Sequence, residues 1–244
     1  MGSAQTTGAP RVTLTRARVL DTAVALADRD GIGSLSMRNL ARELGIEAMS
    51  LYHHVANKKD LLDGVADVVG AEIQDAVSRL DPLADDAERS AWKAAVRRQI
   101  LTARVVLLRH PWAPGVLGSR TAFTPHLLRY YDSIVALLRR GGFSYDLAYK
   151  ALAALGSRAL GFTQALFESD GGSGSAHSGD DDGAALLIGT MSGQVPHMAG
   201  LLAHVGPEHD PGPTLGWCDD QARFEFGLDL VLDGLDRLAA RGTY

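Results

Sequence analysis

Residues Leu35–Val55 run LSMRNLARELGIEAMSLYHHV. Ser36 is a side-chain cap for a short helix in which Met37, Leu40, Ala41 and Leu44 recur at three- and four-residue spacing. Gly45 ends that helix, because glycine takes the left-handed turn without strain. Ile46 then leads into a second short helix, expected from Glu47 to His53. Ala41, Leu44, Ile46 and Leu51 can pack the pair inward, which leaves Glu47, Ala48, Met49, Ser50, Tyr52 and His53 on the outer face. Two short helices joined by a glycine turn form a helix-turn-helix. The outer helix has the width of a DNA major groove, and its small, polar and aromatic groups suit base edges, thymine methyls and phosphates.

Outward from this unit the pattern stays helical. Upstream, Val19, Leu20, Ala23, Leu26 and Ala27 give an amphipathic helix over Arg16–Asp30, with Thr15 as its cap and Gly31 as its stop. Residues 1–14 lack periodicity and are expected to be a disordered tail. Downstream, Asn57 with Asp60 three residues on resembles a capping box. Leu61, Leu62, Val65, Val68, Val69 and Ile73 then make a long apolar stripe that ends before Pro82. Lys58 and Lys59 at this helix start, beside its free amides, form a phosphate clamp. Residues 88–108, 123–140, 144–168 and 221–240 repeat the three-four spacing, and no segment sustains alternation of period two. The expectation is an all-α chain: a three-helix helix-turn-helix head over 15–60, and a larger helical body over 61–244. A Gly-, Ser- and Asp-rich loop is expected over 169–183.

The chain has 244 residues and a formal net charge of −5, which by itself argues against nucleic acid. The charge is unevenly placed. Residues 1–60 carry 8 Lys+Arg against 6 Asp+Glu, whereas the rest carries 16 against 23. The head is therefore weakly basic and the acidity belongs to the body. One cysteine, Cys218, excludes an intramolecular disulfide and a cysteine-cluster zinc site. No apolar run reaches the roughly 18–20 residues of a membrane span, and the first residues lack a signal peptide's charged start and apolar core. A cytoplasmic protein is expected. The histidines lack the carboxylate pairing of a helical metal site, so neither metal nor cofactor is expected.

The segment from Val19 to Leu62 resembles the DNA-binding head of the TetR family of bacterial repressors. The residues that carry the likeness are Ala23, Leu26, Gly31, Ser36-Met37-Arg38-Asn39-Leu40-Ala41, Leu44-Gly45-Ile46, Ser50-Leu51-Tyr52-His53-His54-Val55 and Asn57-Lys58. The likeness continues more weakly through Gly115–Arg120, Gly142–Phe143 and Ala151–Phe167, toward the tetracycline-repressor branch. It implies an all-α homodimer whose two heads enter successive major grooves of a palindromic operator. By position, Arg38 matches a base-reading arginine, and Ser36, Ser50, Tyr52, His54 and Lys58 match phosphate or groove contacts. Ala48 and Met49 stand where tetracycline repressor has a base-contacting Gln and Pro, and His53 where it has a Trp. The resemblance therefore implies a different operator sequence.

For the body the same resemblance implies a small-molecule pocket and the dimer contact. The residues offer a matching dimer face: Phe224, Leu228, Val231, Leu235 and Leu238 alternate spacings of four and three, and Ala151 and Leu155 begin a smaller stripe. Periodicity alone leaves open whether these stripes face a partner or the chain's own core. Aromatic and polar groups suited to a pocket are Trp112, Tyr130, Tyr131, Phe162, Gln164, Met191 and His197, with Arg158 as a group that can meet an anion or pair with a carboxylate. Val116 precedes Leu117-Gly118-Ser119-Arg120, where tetracycline repressor has a magnesium-binding histidine, and Ser157 replaces another polar drug contact. The resemblance thus does not extend to a tetracycline–magnesium effector, and a bulkier or more apolar one is expected.

Two other classes are weighed against a ligand-responsive repressor. A small-molecule enzyme that kept the head as scaffold would need a nucleophile elbow, a phosphate loop, an HExxH motif or a carboxylate pair, and the sequence offers none. A module that binds only protein would not need Arg38, Lys58 and Lys59 around a glycine-turned helix pair.

Overall fold

The structure, a computed structural model, describes residues 14–84, 88–119, 124–171, 196–197, 200 and 221–241, with side chains up to 159 in the third of these long segments. The main helices among them are α1 (Arg16–Asp30), α2 (Met37–Leu44), α3 (Ala48–Leu51), α4 (Lys58–Ser78), α5 (Ala91–Arg109), α6 (Ala113–Gly118), α7 (Pro125–Arg140), α8 (Tyr145–Gly171) and α9 (Gln221–Arg241). No strand occurs among the described residues, and none of their helices is long and apolar enough to cross a membrane. Most of the expected tail and most of the expected loop lie outside the described residues; Leu14, the tail's last residue, is half-buried against the core. The start of that loop, 169–171, is the last part of α8 instead.

Local chemistry sets the head's boundaries. Thr15 Oγ1 accepts from the Arg18 amide at 3.2 Å and starts α1. Ser36 Oγ accepts from the Asn39 amide at 3.2 Å and starts α2. Gly45, at φ 67° and ψ 33°, ends α2 in the left-handed region, and its N–H reaches back to the Ala41 and Arg42 carbonyls. Asn57 Oδ1 accepts from the Asp60 amide at 2.9 Å, while the Asp60 carboxylate accepts from the Ala56 amide at 2.8 Å. Two backbone donors at the start of α4 are thereby satisfied.

The head and body share one continuous core. Val19, Ala23 and Leu26 of α1 pack with Leu40, Leu51, Val55, Leu61 and Val65, all of them buried. Helix α4 runs from this cluster into the body, where it packs on α5 and α7. It meets α1 so closely at Gly64 that an added Cβ would lie 2.5 Å from a Leu20 methyl. Arg16 fixes the other end of this crossing through a two-pronged bond to Asp60, at 2.7 and 3.1 Å. Within the body, Trp92 and Phe143 meet edge to face at 4.7 Å. Arg97 ties α5 to α9 through Asp229 at 2.7 Å and Glu225 at 2.6 Å.

Three expectations change. The outer helix is shorter than Glu47–His53. It covers Ala48–Leu51, and Tyr52, His53 and His54 form a turn because the chain must bury Val55 and cap α4 at Asn57. Helix α6 was not expected; its six residues include Pro114, Gly115 and Gly118 and are too short to show a period. Finally, Ala151, Leu155, Phe224, Leu228 and Leu235 are buried within the single chain, and Val231 and Leu238 are half-buried against the same core. The dimer stripe read from the sequence is therefore largely the chain's own α8–α9 packing. Among the described residues, the large apolar side chains these helices leave exposed are Tyr145, Tyr149, Phe226 and Leu230.

Candidate nucleic-acid interface and pocket

The α2–α3 pair presents a polar surface on an apolar base. Leu40, Ala41 and Leu51 are buried beneath it, and Ala48 is half-buried against them. Arg38, Met49, Ser50, Tyr52 and His53 are exposed, with Met49 72% accessible. Ser36 is occupied as the α2 cap, so its hydroxyl is positioned by the helix start. His54 is half-buried, and its carbonyl accepts from Arg16. Exposed Lys58 stands at the N-terminus of α4, and Lys59 is paired with Asp63 at 2.9 Å. Neighbouring polar groups are used internally: Asn39 donates to the Ser34 carbonyl at 2.8 Å, and Arg29 pairs with Glu43 at 3.0 Å. Arg38 makes no ion pair with another described residue, so its two-pronged donor set faces outward.

A cavity of about 40 Å³ lies between α4, α5, α7 and α8. Among the described residues its walls are apolar apart from Arg104 and the two tyrosines, Tyr130 and Tyr131, whose rings are 5.5 Å apart. Burial pushes both tyrosine hydroxyls upward from their ordinary value, so they stay protonated. The candidate pocket residues distribute unequally. Tyr130 and Tyr131 line the cavity. Val116 is buried beside Leu117, which lines it. Ser157 is exposed, although Gly156 and Ala159 on either side of it reach the cavity. Arg158 is half-buried and donates to the Arg223 and Phe224 carbonyls at 2.8 and 3.4 Å, and desolvation lowers its pKa. His197 is exposed. Met191 and the side chains of Phe162 and Gln164 lie outside the described residues.

Trp112 has a different place from the one expected. It is buried, and its indole N–H donates to Asp28 Oδ1 of α1 at 2.6 Å. His110 joins the same group, with Nδ1 2.9 Å from Asp28 and Nε2 3.3 Å from Glu72 of α4. These residues connect head and body between two cavity-lining positions, Leu107 and Leu117. Sequence reasoning missed both His110 and Arg104. The signal for Arg104 was present, as an arginine on the apolar stripe of Ile100, Ala103 and Leu107. His110 gave none, since its partners are 82 and 38 residues away.

The model for bacterial regulatory proteins of the tetR family matches residues 19–65, and the model for the tetracyclin repressor-like C-terminal domain matches 84–239. The chain is 30% identical over 238 residues to the HTH-type transcriptional repressor DrrR1 of Streptomyces coeruleorubidus, covering 95% of this chain and 81% of that protein. A possible TetR family transcriptional regulator from Streptomyces coelicolor A3(2) superposes with a TM-score of 0.71 at 31% identity, over 91% of this chain and 99% of the other. The Streptomyces coelicolor protein ActR in complex with actinorhodin matches with a TM-score of 0.66 at 25% identity, over 92% and 96%.

Proposed function

The chain belongs to the TetR family of transcription regulators, and from that premise we propose that it represses transcription by binding a palindromic operator as a homodimer, and that a small molecule in the α4–α8 cavity releases it. The observation that carries this reading is the physical link between the two sites. Helix α4 has Lys58 at its N-terminus beside the polar face and Ile73 on the cavity wall. At 1.5 Å per residue those positions are about 22 Å apart along one rigid element.

A cavity of about 40 Å³ is far smaller than the several hundred Å³ of a site for a drug-sized ligand. An effector must therefore bind a state in which the walls stand further apart, and binding shifts the population toward that state. A tilt of α4 by about 5° moves its N-terminus by about 2 Å over that length. Opposed shifts in two heads spoil half-site spacing, which is fixed at about 34–36 Å per helical turn.

In this reading Arg38 reads a base, and Ala48, Met49, Ser50, Tyr52 and His53 lie along the groove. Ser36, His54 and Lys58 hold phosphates. The second copy docks on the face that carries Tyr145, Tyr149, Phe226 and Leu230, because the α8–α9 stripe beneath is already filled. The operator sequence and the effector differ from those of tetracycline repressor, and the protein works in the cytoplasm. An enzymatic role finds no support in the relatives, which are transcription regulators.

Recovery of genomic fragments bound by the purified protein tests the proposal. A palindromic site with half-sites one turn apart supports it. Recovery of fragments without a shared sequence refutes it.

A further inference from the structure

The turn between α3 and α4, Tyr52–Lys59, carries His54 and Lys58, two of the groups assigned to phosphates, and little of it rests on the core. Val55 is buried, His54 is half-buried and the remaining residues are exposed. At its start the His54 and Val55 amides donate to the Leu51 carbonyl at 2.8 Å. A side chain from α1 grips the rest. Arg16 donates from Nη1 to the His54 carbonyl and to Asp60 Oδ2, the latter at 3.1 Å, and from Nη2 to Asp60 Oδ1 at 2.7 Å. Asp60 Oδ2 also accepts from the Ala56 amide at 2.8 Å. One ion pair thus holds the turn at His54, at Ala56 and at the first turn of α4. The bond to Arg16 keeps the Asp60 carboxyl below its ordinary value, so the pair stays charged at neutral pH.

We propose that Arg16 is a positioning residue for operator binding, which acts through Asp60 to order the turn carrying His54 and Lys58 before DNA arrives. The inference rests on the reading of the head as the DNA-binding unit. An exposed turn has conformational freedom to lose, and if it is ordered only on the duplex, operator affinity bears that cost. The clamp moves the cost into folding. Asp60 gives the idea a distinctive sign. A carboxylate next to a phosphate-facing turn repels a polyanion, so charge alone predicts tighter DNA binding when it is neutralised. The clamp predicts weaker binding, because a neutral amide does not hold a guanidinium in the same two-pronged, charge-assisted geometry. Arg16→Lys separates charge from geometry in the same way, since one ammonium lacks the planar fork that serves a carbonyl and both carboxylate oxygens.

The test titrates the full chain and its variants against the recovered operator over a series of salt concentrations. Asp60→Asn and Arg16→Gln should each weaken binding about threefold to tenfold, and the double variant should lose no more than about twofold beyond the weaker single one. Arg16→Lys should fall between wild type and Arg16→Gln. The slope of log affinity against log salt should stay that of the wild type, because every phosphate contact still forms once the turn is ordered. Hydrogen exchange of the free variants should quicken at residues 54–60 while α5 and α9 keep their protection, which shows a loosened turn in a folded chain. Unchanged or tighter operator binding by Asp60→Asn overturns the inference. So does a slope smaller by about 0.9 in Arg16→Gln, since the arginine is then itself a phosphate contact. Arg16→Lys equal to wild type also overturns it, and that arm keeps the charge balance of the fold. Failure of the wild-type chain to bind any recovered site refutes the DNA-binding reading itself, and the inference falls with it.

Discussion

Replacing Asp28 with alanine removes the acceptor that joins the head to the body. Asp28 Oδ1 receives the Trp112 indole N–H at 2.6 Å and faces His110 Nδ1 at 2.9 Å. Trp112 and His110 are both buried, so the truncation strands polar groups where water has little access. A buried donor that loses its partner costs about 1–3 kcal/mol. The two bonds share one acceptor atom and are not additive, and the Asp28 side chain is 30% exposed, which lets water replace part of the loss. The expected destabilisation is therefore about 2–4 kcal/mol in urea unfolding. Hydrogen exchange should localise it to α1 and to residues 110–118, with the α5–α9 contact unchanged. The functional consequence is sharper. Loss of this joint should shrink the factor by which a cavity ligand lowers operator affinity, from a coupling of about 1–3 kcal/mol toward zero. Operator binding without ligand should persist. A change below about 0.5 kcal/mol, the range of an ordinary surface substitution, refutes the structural reasoning. An unchanged ligand effect on operator affinity refutes the expectation that this joint assists α4 in carrying the signal.

Three further outcomes follow from other parts of the molecule. Arg38→Ala should cost about 1–3 kcal/mol on the recovered operator and relax preference at one base pair; a gel-shift titration with unchanged affinity removes its base-reading role. Phe226→Arg places a charge on the proposed second-copy face and should yield monomers in light scattering, whereas a dimer of unchanged stability locates the interface elsewhere. Asp60 is held below its ordinary value of 3.8, first by its hydrogen bond to Arg16 and also by the Ala56 amide, against the opposing cost of burial. Its stabilising effect is complete above that ordinary value and disappears as pH falls through the depressed one. Asp60→Asn should therefore lower stability at neutral pH and flatten the acid limb of the stability curve, and an unaltered acid limb would rule out this ion pair as its source.

The head was legible because its signals are local. Caps at Thr15, Ser36 and Asn57, and the turn at Gly45, each act within a few residues, and the structure has all four in place. The apolar periods of α1 and α4 are equally local. What periodicity could not supply was the identity of the surface it faces. Phe224 and Leu228 have the spacing of a helix seam, and their partner is α8 and α5 of the same chain. The cavity was half legible for a related reason. Tyr130 and Tyr131 announce themselves as aromatic groups, whereas Arg104 on an apolar stripe resembles a surface interruption until α9 covers it. Trp112 was legible as a buried aromatic, but its N–H goes to α1, not to the cavity.

The central claim is that the small polar face of the head reads a DNA sequence despite the acidic body behind it. Fluorescence anisotropy of the recovered site against a scrambled duplex of the same length, at physiological salt, tests it most directly. The account predicts two chains per duplex and a preference of about a thousandfold or more for the recovered site. Equal affinity for the two duplexes, or no binding to either, would contradict it.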